Sequence, residues 1–394
     1  MIRFIRGGAV VLLVSALVAP VTSRAEESLQ DVLPPLQVGP VLVHPSLAIK
    51  ETYNDNVYYT AENTKSDFIT SVFPDVTLKL PFRMHELTFG AGAEMRRYAK
   101  YTELDATPYQ IFGLGDFSIG DRVKLKVGDT YVRGEETPLE SPSGTSDMYT
   151  DNQLALSVKY AFVDVAQAQL DYTRTTLNYL DSTYRSRAED LVSVFLYYRA
   201  LPNTSAFLEY DFKNVGYDES GAKDNVVHTG FVGATWEITE YSKGTAKAGF
   251  LSKNFSDASL DDYSTWTASI DLQHHFSDAA SMRLLGKRDV NEGKYDDTYY
   301  YTTTGVFADF TYLFLERLSG VIEGSYSADE YSNARNAEGV VREDKTAHVG
   351  IGAKYSFNSW LDFVLGFGLS NRNSNIANFD AAYNTVSLKV TAYR

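Results

Sequence analysis

The chain has 394 residues, with 36 basic and 51 acidic side chains, 28 tyrosines, 22 phenylalanines and no cysteine. The acid excess argues against nucleic acid as a partner, since its binders present basic faces, and the missing thiols exclude disulfides, thiolate metal centres, covalently attached haem and a lipid anchor on cysteine. Past the N-terminal region no apolar run approaches the roughly 20 residues of a membrane-spanning helix, so passage through a membrane requires closed strands, which leave no backbone group unpaired in lipid.

Residues 1–25 read as an export signal. Arg3 and Arg6 form a basic start, Ala9 to Ala19 an apolar run too short to span, and Ser23-Arg24-Ala25 a small-residue cleavage site. Removing Arg3, Arg6 and Arg24 leaves 33 basic against 51 acidic side chains, a net charge of −18. Residues 26–45 carry Pro34, Pro35, Pro40 and Pro45 without sustained alternation and read as a short extended periplasmic lead-in. From 46 to 394 the composition does not shift, which predicts one domain.

That domain repeats one unit about every forty residues: an alternating apolar strand, an aromatic residue, a tight turn and a second strand that runs into an acidic connection. The turns centre near Pro81, Gly120, Val163, Pro202, Thr239, Asp278, Glu316 and Asn358. Eight hairpins, plus a first strand around Ser46 to Tyr58 and a last around Ala382 to Tyr393, make about eighteen strands, an even count that puts both termini on the periplasmic side. The polar connections Gly134 to Asp151, Tyr217 to Asp224, Ser256 to Asp262, Asn291 to Asp297 and Asp329 to Asp344 read as extracellular loops.

Alternation also assigns faces, because successive side chains of a strand point to opposite sides. Leu87, Phe89 and Ala91, then Val123, Leu125 and Val127, Leu154 to Tyr160, Val349 to Phe357 and Leu361 to Leu369 in steps of two should face lipid. Strands of a soluble sandwich average about five or six residues, whereas several here alternate for longer, as a tilted membrane strand must. The fold expected is all-β: a transmembrane antiparallel up-and-down barrel in the bacterial outer membrane, with short periplasmic turns and longer extracellular loops.

The opening of the domain adds a resemblance. Tyr53-Asn54-Asp55-Asn56 at the end of the first strand, and the step Pro74-Asp75-Val76 in the second, resemble the start of the outer-membrane family called putative β-barrel porin 2. The resemblance implies a role in the outer-membrane step of exopolysaccharide or capsule secretion, with a glycan substrate and periplasmic polysaccharide-export proteins as partners. The chain ends Ala392-Tyr393-Arg394, one residue past the terminal aromatic that the insertion machinery of this class reads.

A barrel of this size normally leaves an aqueous channel, so the functional residues are those opposite the lipid face. Lys79, Glu94, Arg96, Lys124, Lys126, Lys159, Asp171, Glu209, Asp211, Lys247, Asp271, Arg283, Lys287, Glu323, Lys354 and Lys389 are the lumen-lining candidates, with Lys213 and Asp309 in the same set. The set is balanced to mildly basic, since the acid lies in the loops. It is read either as the salt-bridged, solvated interior of any wide barrel or as a bias toward anionic solutes.

The acidic loops read as solvated surface, with divalent-cation bridging to lipopolysaccharide or repulsion of an acidic polymer as the sharper alternatives. Tyr58-Tyr59, Tyr98, Tyr101 and Tyr299-Tyr300-Tyr301 read as an outer aromatic girdle, or as lumenal rings on which sugars slide. Phe162, Tyr198, Trp236, Phe276, Phe314, Phe357 and Trp360 suit an inner girdle. No catalytic elbow or zinc-helix motif occurs, and neither an enzyme, a cofactor nor a metal is expected. Two functions are carried forward: a secretion conduit for an exopolysaccharide or capsular glycan, and a general diffusion porin for small solutes. Both partner with outer-membrane lipid and lipopolysaccharide and with the insertion machinery.

Overall fold

The computed structural model describes residues 35–139, 146–219, 221–239, 241–335, 339–376 and 378–394. The expected signal, and the lead-in up to residue 34, lie outside the described residues. Among the described residues eighteen strands form a closed antiparallel barrel. They are β1 (Val41–Asn54), β2 (Asp67–Phe82), β3 (His85–Ala93, continued by Met95–Tyr98), β4 (Tyr109–Ile119), β5 (Val123–Glu136) and β6 (Asp147–Val163). Next come β7 (Ala166–Tyr179), β8 (Arg187–Leu201), β9 (Thr204–Tyr217), β10 (Asn225–Thr239), β11 (Ser242–Phe255) and β12 (Tyr263–Ser277). The last are β13 (Ala280–Glu292), β14 (Tyr300–Leu315), β15 (Leu318–Arg335), β16 (Val341–Asn358), β17 (Leu361–Ser374) and β18 (Ala381–Tyr393). Each pairs with its chain neighbours, and β1 closes on β18 from Ser46↔Tyr393 to Asn54↔Thr385.

One end of the barrel carries short turns, including Arg83-Met84, Asp164-Val165, Asp278-Ala279 and Glu316-Arg317, close to the sequence-predicted centres. Gly120 and Arg83 take positive φ there, 59° and 58°, the left-handed conformation that tight hairpins demand. The outer face is apolar as the alternation predicts: Phe89, Val127, Leu154, Leu156, Val349, Ile351, Leu365 and Phe367 all stand exposed. Phe162, Tyr198, Phe276, Phe314, Phe357 and Trp360 project from it beside the short turns, while Trp236 is half-buried.

The interruption of β3 has a covalent cause. Pro74 of β2 and Pro108 just before β4 flank it, and neither can donate to the ladder; the Glu94 N–H instead donates to the Pro108 carbonyl, 2.9 Å. Register is the same on both sides of the break, Asp75↔Gly92 and Val72↔Met95.

The first strand starts earlier than expected. Val41 to Pro45 belong to β1 rather than to a lead-in, with Leu42 opposite Lys79 and Pro45 opposite Val76. Strand also replaces much of two expected loops. β5 runs to Glu136 and β6 begins at Asp147, while β15 and β16 run 18 residues each, to Arg335 and from Val341. Crossing the bilayer takes roughly 9–11 residues of strand, so the wall continues above it, where charges occupy both faces and no apolar alternation marks the strand. There Asp329 faces Asp344 and Glu330 faces Glu343, a like-charge apposition relieved by the Arg342–Asp344 and Lys345–Glu343 pairs at 2.5 and 2.9 Å.

The opening motif is the joint that closes the barrel at its outer end. Asn54 accepts the Asn56 N–H through Oδ1 at 2.8 Å, and the fully buried Asn56 donates through Nδ2 to the carbonyls of Thr60 and Ala382 at 2.8 and 2.9 Å. Several loop acids are caps rather than solvated surface. Asp67 accepts the N–H groups of Lys100 and Tyr101, Asp147 those of Asp181 and Ser182, Asp224 that of Tyr217, and Asp262 that of Phe255, all within 3.2 Å. Unsatisfied N–H groups at strand tops would otherwise be costly. Tyr58, Tyr98 and Tyr101 pack on Val57, Ile69 and Leu104 in a small outer core instead of joining a girdle. Tyr301 is buried and stacks on Tyr331 at 5.3 Å.

Candidate functional site

The concave face of the wall is where side chains from strands that do not pair can meet. Lys247 of β11 reaches Glu209 of β9 at 2.5 Å across β10, and the other lumen candidates share its side of the wall by alternation. Several are brought into pairs: Arg96 with Glu94 at 2.9 Å, Arg283 with Asp271 at 3.0 Å, and Lys126 with Asp116 at 3.8 Å. Glu323 meets His348 at 3.3 Å, and Lys354 meets Asp362 at 3.0 Å. Gln169 donates to Asp171, Ser71 to Glu94, and Asp211 stands two residues along β9 from Glu209. Lys79 sits opposite Thr88, and Lys287 opposite Ser269.

Two appositions break the pattern of opposite charges. Lys124 lies directly across from Lys159, and Lys389 directly across from Lys50. Like charges in register destabilise a sheet. Each pair has an aromatic neighbour: the Lys159 Nζ is 4.6 Å from the Tyr197 ring centre and the Lys389 Nζ 5.1 Å from that of Phe73. Lys124 and Lys159 lie near the short-turn ends of β5 and β6, whereas Lys50 lies nearer the outer end of β1.

At the opposite, outer end the wall is discontinuous. The β12–β13 ladder stops at Ala268↔Arg288, although β12 begins at Tyr263 and β13 ends at Glu292. Beyond that point the tip of the β13–β14 hairpin bends into the lumen. Glu292 shares the outward side of β13 with Arg288 by alternation, yet its Oε1 lies 2.7 Å from the Lys253 Nζ and 3.3 Å from that of Lys213. Its Oε2 accepts from the Tyr217 hydroxyl at 3.0 Å and the Asn225 Nδ2 at 3.1 Å. Lys213, Val227, Lys253 and Tyr263 form one cross-strand row on the inner face, so the outer side of the tip rests against the inner side of β9–β12. The Tyr263 and Tyr300 rings stack at 4.2 Å across the overlap.

The loop at the tip, residues 293–299, then crosses the mouth. On one side its Lys294 carbonyl accepts from the Tyr184 hydroxyl, and its Tyr295 carbonyl accepts from Lys223, 3.2 and 3.3 Å. On the far side the Tyr295 hydroxyl accepts from Arg342 Nη1 at 2.5 Å, and its ring meets Phe379 and Tyr331 edge-on. Arg342, nearly fully buried and paired with Asp344, is 3.6 Å from the Phe379 ring centre. Burial pushes the Lys223 ammonium below its ordinary pKa, opposed by Asp296 and Asp297. The tip therefore spans from the β7–β10 loops to β16 and the β17–β18 loop, a polar and aromatic bar across the outer opening.

Comparison with known proteins assigns the chain. The model of the family described as "Putative beta-barrel porin 2" matches residues 36–394. The chain belongs to this family. No curated protein matches it. Among solved structures, this β-barrel porin is similar in fold to OccK9 (OpdG) of Pseudomonas aeruginosa, at 11% identity and a TM-score of 0.50, covering 89% of this chain and 98% of that one. OccAB4 of Acinetobacter baumannii aligns at 12% identity and 0.48, and OpdK of P. aeruginosa at 11% and 0.47, each covering 89% of this chain and 98% of the other. The family is described as a porin and OpdK as an outer membrane protein.

The bar was not legible in the strand pattern. Alternation places Glu292 on the outer face, and only the displacement of the tip reverses it. Lys253 was accessible to the same reasoning as Lys247, six residues earlier on the same face of β11. Tyr295 carries no local signature; the Gly293 that opens its loop is the nearest signal.

Proposed function

We propose that this porin is a passive channel for small hydrophilic solutes. The observation that carries the reading is the tip bar: residues 293–299 cross the outer mouth and are held at both ends, so the passage beside them suits small molecules better than a polymer chain. An exported glycan would need that bar to vacate the lumen. The small-solute reading requires outer-membrane lipid, lipopolysaccharide and the insertion machinery as partners, and no periplasmic export protein.

The wall supports a class of solute. Lys124 beside Lys159 and Lys50 beside Lys389 put lysine appositions on the inner face, with Asp171 near the first and Glu94 near the second, and fixed charge in a confined pore sets which ions enter. Two lysines side by side in a pore wall attract small anions more than small cations, which supports a preference for small anions.

Planar-bilayer recording with a salt gradient, joined to swelling of protein-loaded liposomes in a series of sugars, tests both parts. The expected result is a conducting pore with an anion-directed reversal potential and swelling by mono- and disaccharides but not by longer oligomers. Passage of long oligosaccharides, together with loss of extracellular polysaccharide in a deletion strain, would return the conduit reading. A strongly cation-selective pore would remove the anion preference.

A further inference from the structure

We propose that the tip of the β13–β14 hairpin is a hinged piece of the wall, and that the channel widens when the tip leaves the lumen and completes its ladder with β12. The inference rests on the small-solute reading and names how that same mouth is regulated.

Three features carry it. First, an in-register docking edge exists. Tyr263 to Thr267 are held in strand geometry by β11, with Lys253↔Tyr263 and Leu251↔Thr265. Among the described residues they make no backbone ladder with β13. Extending the established register past Ala268↔Arg288 sets Thr267 against Asp289 and Thr265 against Asn291, and both members of each pair then belong to the inner face. The wall position is thus correct in spacing and in parity, and an open strand edge is a template for pairing.

Second, the present seam is made of side chains. The Thr267 hydroxyl donates to the Arg288 carbonyl at 2.7 Å, Tyr263 and Thr302 hydroxyls meet at 3.3 Å, and Tyr263 stacks on Tyr300. These contacts can be exchanged for backbone hydrogen bonds without unfolding either neighbour. Third, the force that holds the tip inside converges on one carboxylate. Glu292 is bound by Lys253, Lys213, Tyr217 and Asn225, and in the wall position its side chain would turn to the outer face and lose all four. A two-state element biased by one group responds when that group is changed.

The chain has no cysteine, so a disulfide can be placed cleanly. The variant Thr265→Cys with Asn291→Cys reports the wall position, and Thr229→Cys with Leu251→Cys, opposite each other in the intact β10–β11 ladder, controls for access of the oxidant. Both are examined in assembled barrels, with and without Glu292→Gln. The seam pair is expected to oxidise at least about threefold faster in the Glu292→Gln background, the population shift that loss of the hold should cause. The oxidised barrel should conduct about twofold more than its reduced form, because conductance follows the open cross-section. Lys253→Met repeats the release from the other partner should Glu292→Gln fail to assemble.

If the seam pair stays reduced in every background while the control pair oxidises, or if it oxidises with no change in conductance of a conducting pore, the hinge is wrong. If no variant conducts but the seam pair still oxidises faster after Glu292→Gln, the hinge stands and the channel reading falls.

Discussion

The carboxylate of Asp55, at the end of β1, accepts hydrogen bonds from the backbone N–H of Asn384 at 2.7 Å and from its Nδ2 at 2.6 Å. Asn384 lies on β18, 329 residues away in the chain. The Asp55 N–H donates back to the Asn384 carbonyl at 3.2 Å. A barrel is stable only when its first and last strands meet in one register, and the opening motif clamps that register at the outer rim.

Asn56→Ala should therefore weaken closure. It leaves the Thr60 N–H and the carbonyls of Thr60 and Ala382 without their side-chain partner; both residues are exposed, so water replaces that partner and each bond contributes about 0.5–1.5 kcal/mol. The expected outcome is a lower urea midpoint in detergent micelles and a lower temperature at which the compact gel band converts to the unfolded one. Asp55→Ala, at a more exposed site, should move both less.

Charge reversal at the lysine pairs bears on solute choice. Lys124→Glu with Lys159→Glu converts an apposed positive pair into an apposed negative one in the half of the lumen nearer the short turns. The reversal potential in a tenfold salt gradient should shift toward cation preference, and the shift should shrink as ionic strength rises, since screening at about 1 M acts within roughly 3 Å. An unchanged potential would mean that these lysines do not face the conduction path.

At the far anchor of the bar, two substitutions should differ in kind. Arg342→Ala strands the buried Asp344 carboxylate and should cost about 3–5 kcal/mol of barrel stability. Phe379→Ala removes only ring contacts with Arg342 and Tyr295, worth about 0.5–2 kcal/mol. Tyr295→Ala should raise single-channel conductance with little change in the urea midpoint, because the ring lies across the mouth and not in the wall. Equal conductance in Tyr295→Ala and the parent would show that solutes avoid the bar.

The outer loops offer a pH-dependent contact. The Tyr58 hydroxyl donates to the Glu103 carboxylate; that bond pushes the phenol up to about 12 and holds the carboxyl below its usual range. A lowered carboxyl pKa contributes stability that is present above the ordinary value and lost as pH falls through the lowered one. A raised phenol pKa contributes stability present below about 10 and lost as pH rises through the raised value. The contact should hold from about pH 5 to pH 10. In a difference ultraviolet titration one tyrosine should ionise earlier in Glu103→Gln than in the parent, and the hydroxyl and carboxylate are so exposed that global stability should not follow.

Much of the architecture was readable in advance because a membrane wall imposes one rule everywhere. Phe363, Leu365, Phe367 and Leu369 must face lipid, so their alternation with Val364, Gly366 and Gly368 is regular and marks β17 without ambiguity. Above the bilayer that rule lapses. Asp329, Glu330, Glu343 and Asp344 look like loop, yet they are laddered strand, since water accepts charge on either face and the pairing is stabilised by Arg342 and Lys345 instead.

The amino-acid pattern by itself determined the number of strands, their lipid face and the positions of the short turns, because each depends on neighbours within one hairpin. Tertiary structure alone decided that Asp55 and Asn384 meet, that loop acids serve as caps, and that Glu292 points inward against its parity to hold a bar across the mouth. These depend on ring closure and on where a ladder stops, and they are set by strands far apart in the chain or by four side chains converging from three strands, which no local periodicity encodes.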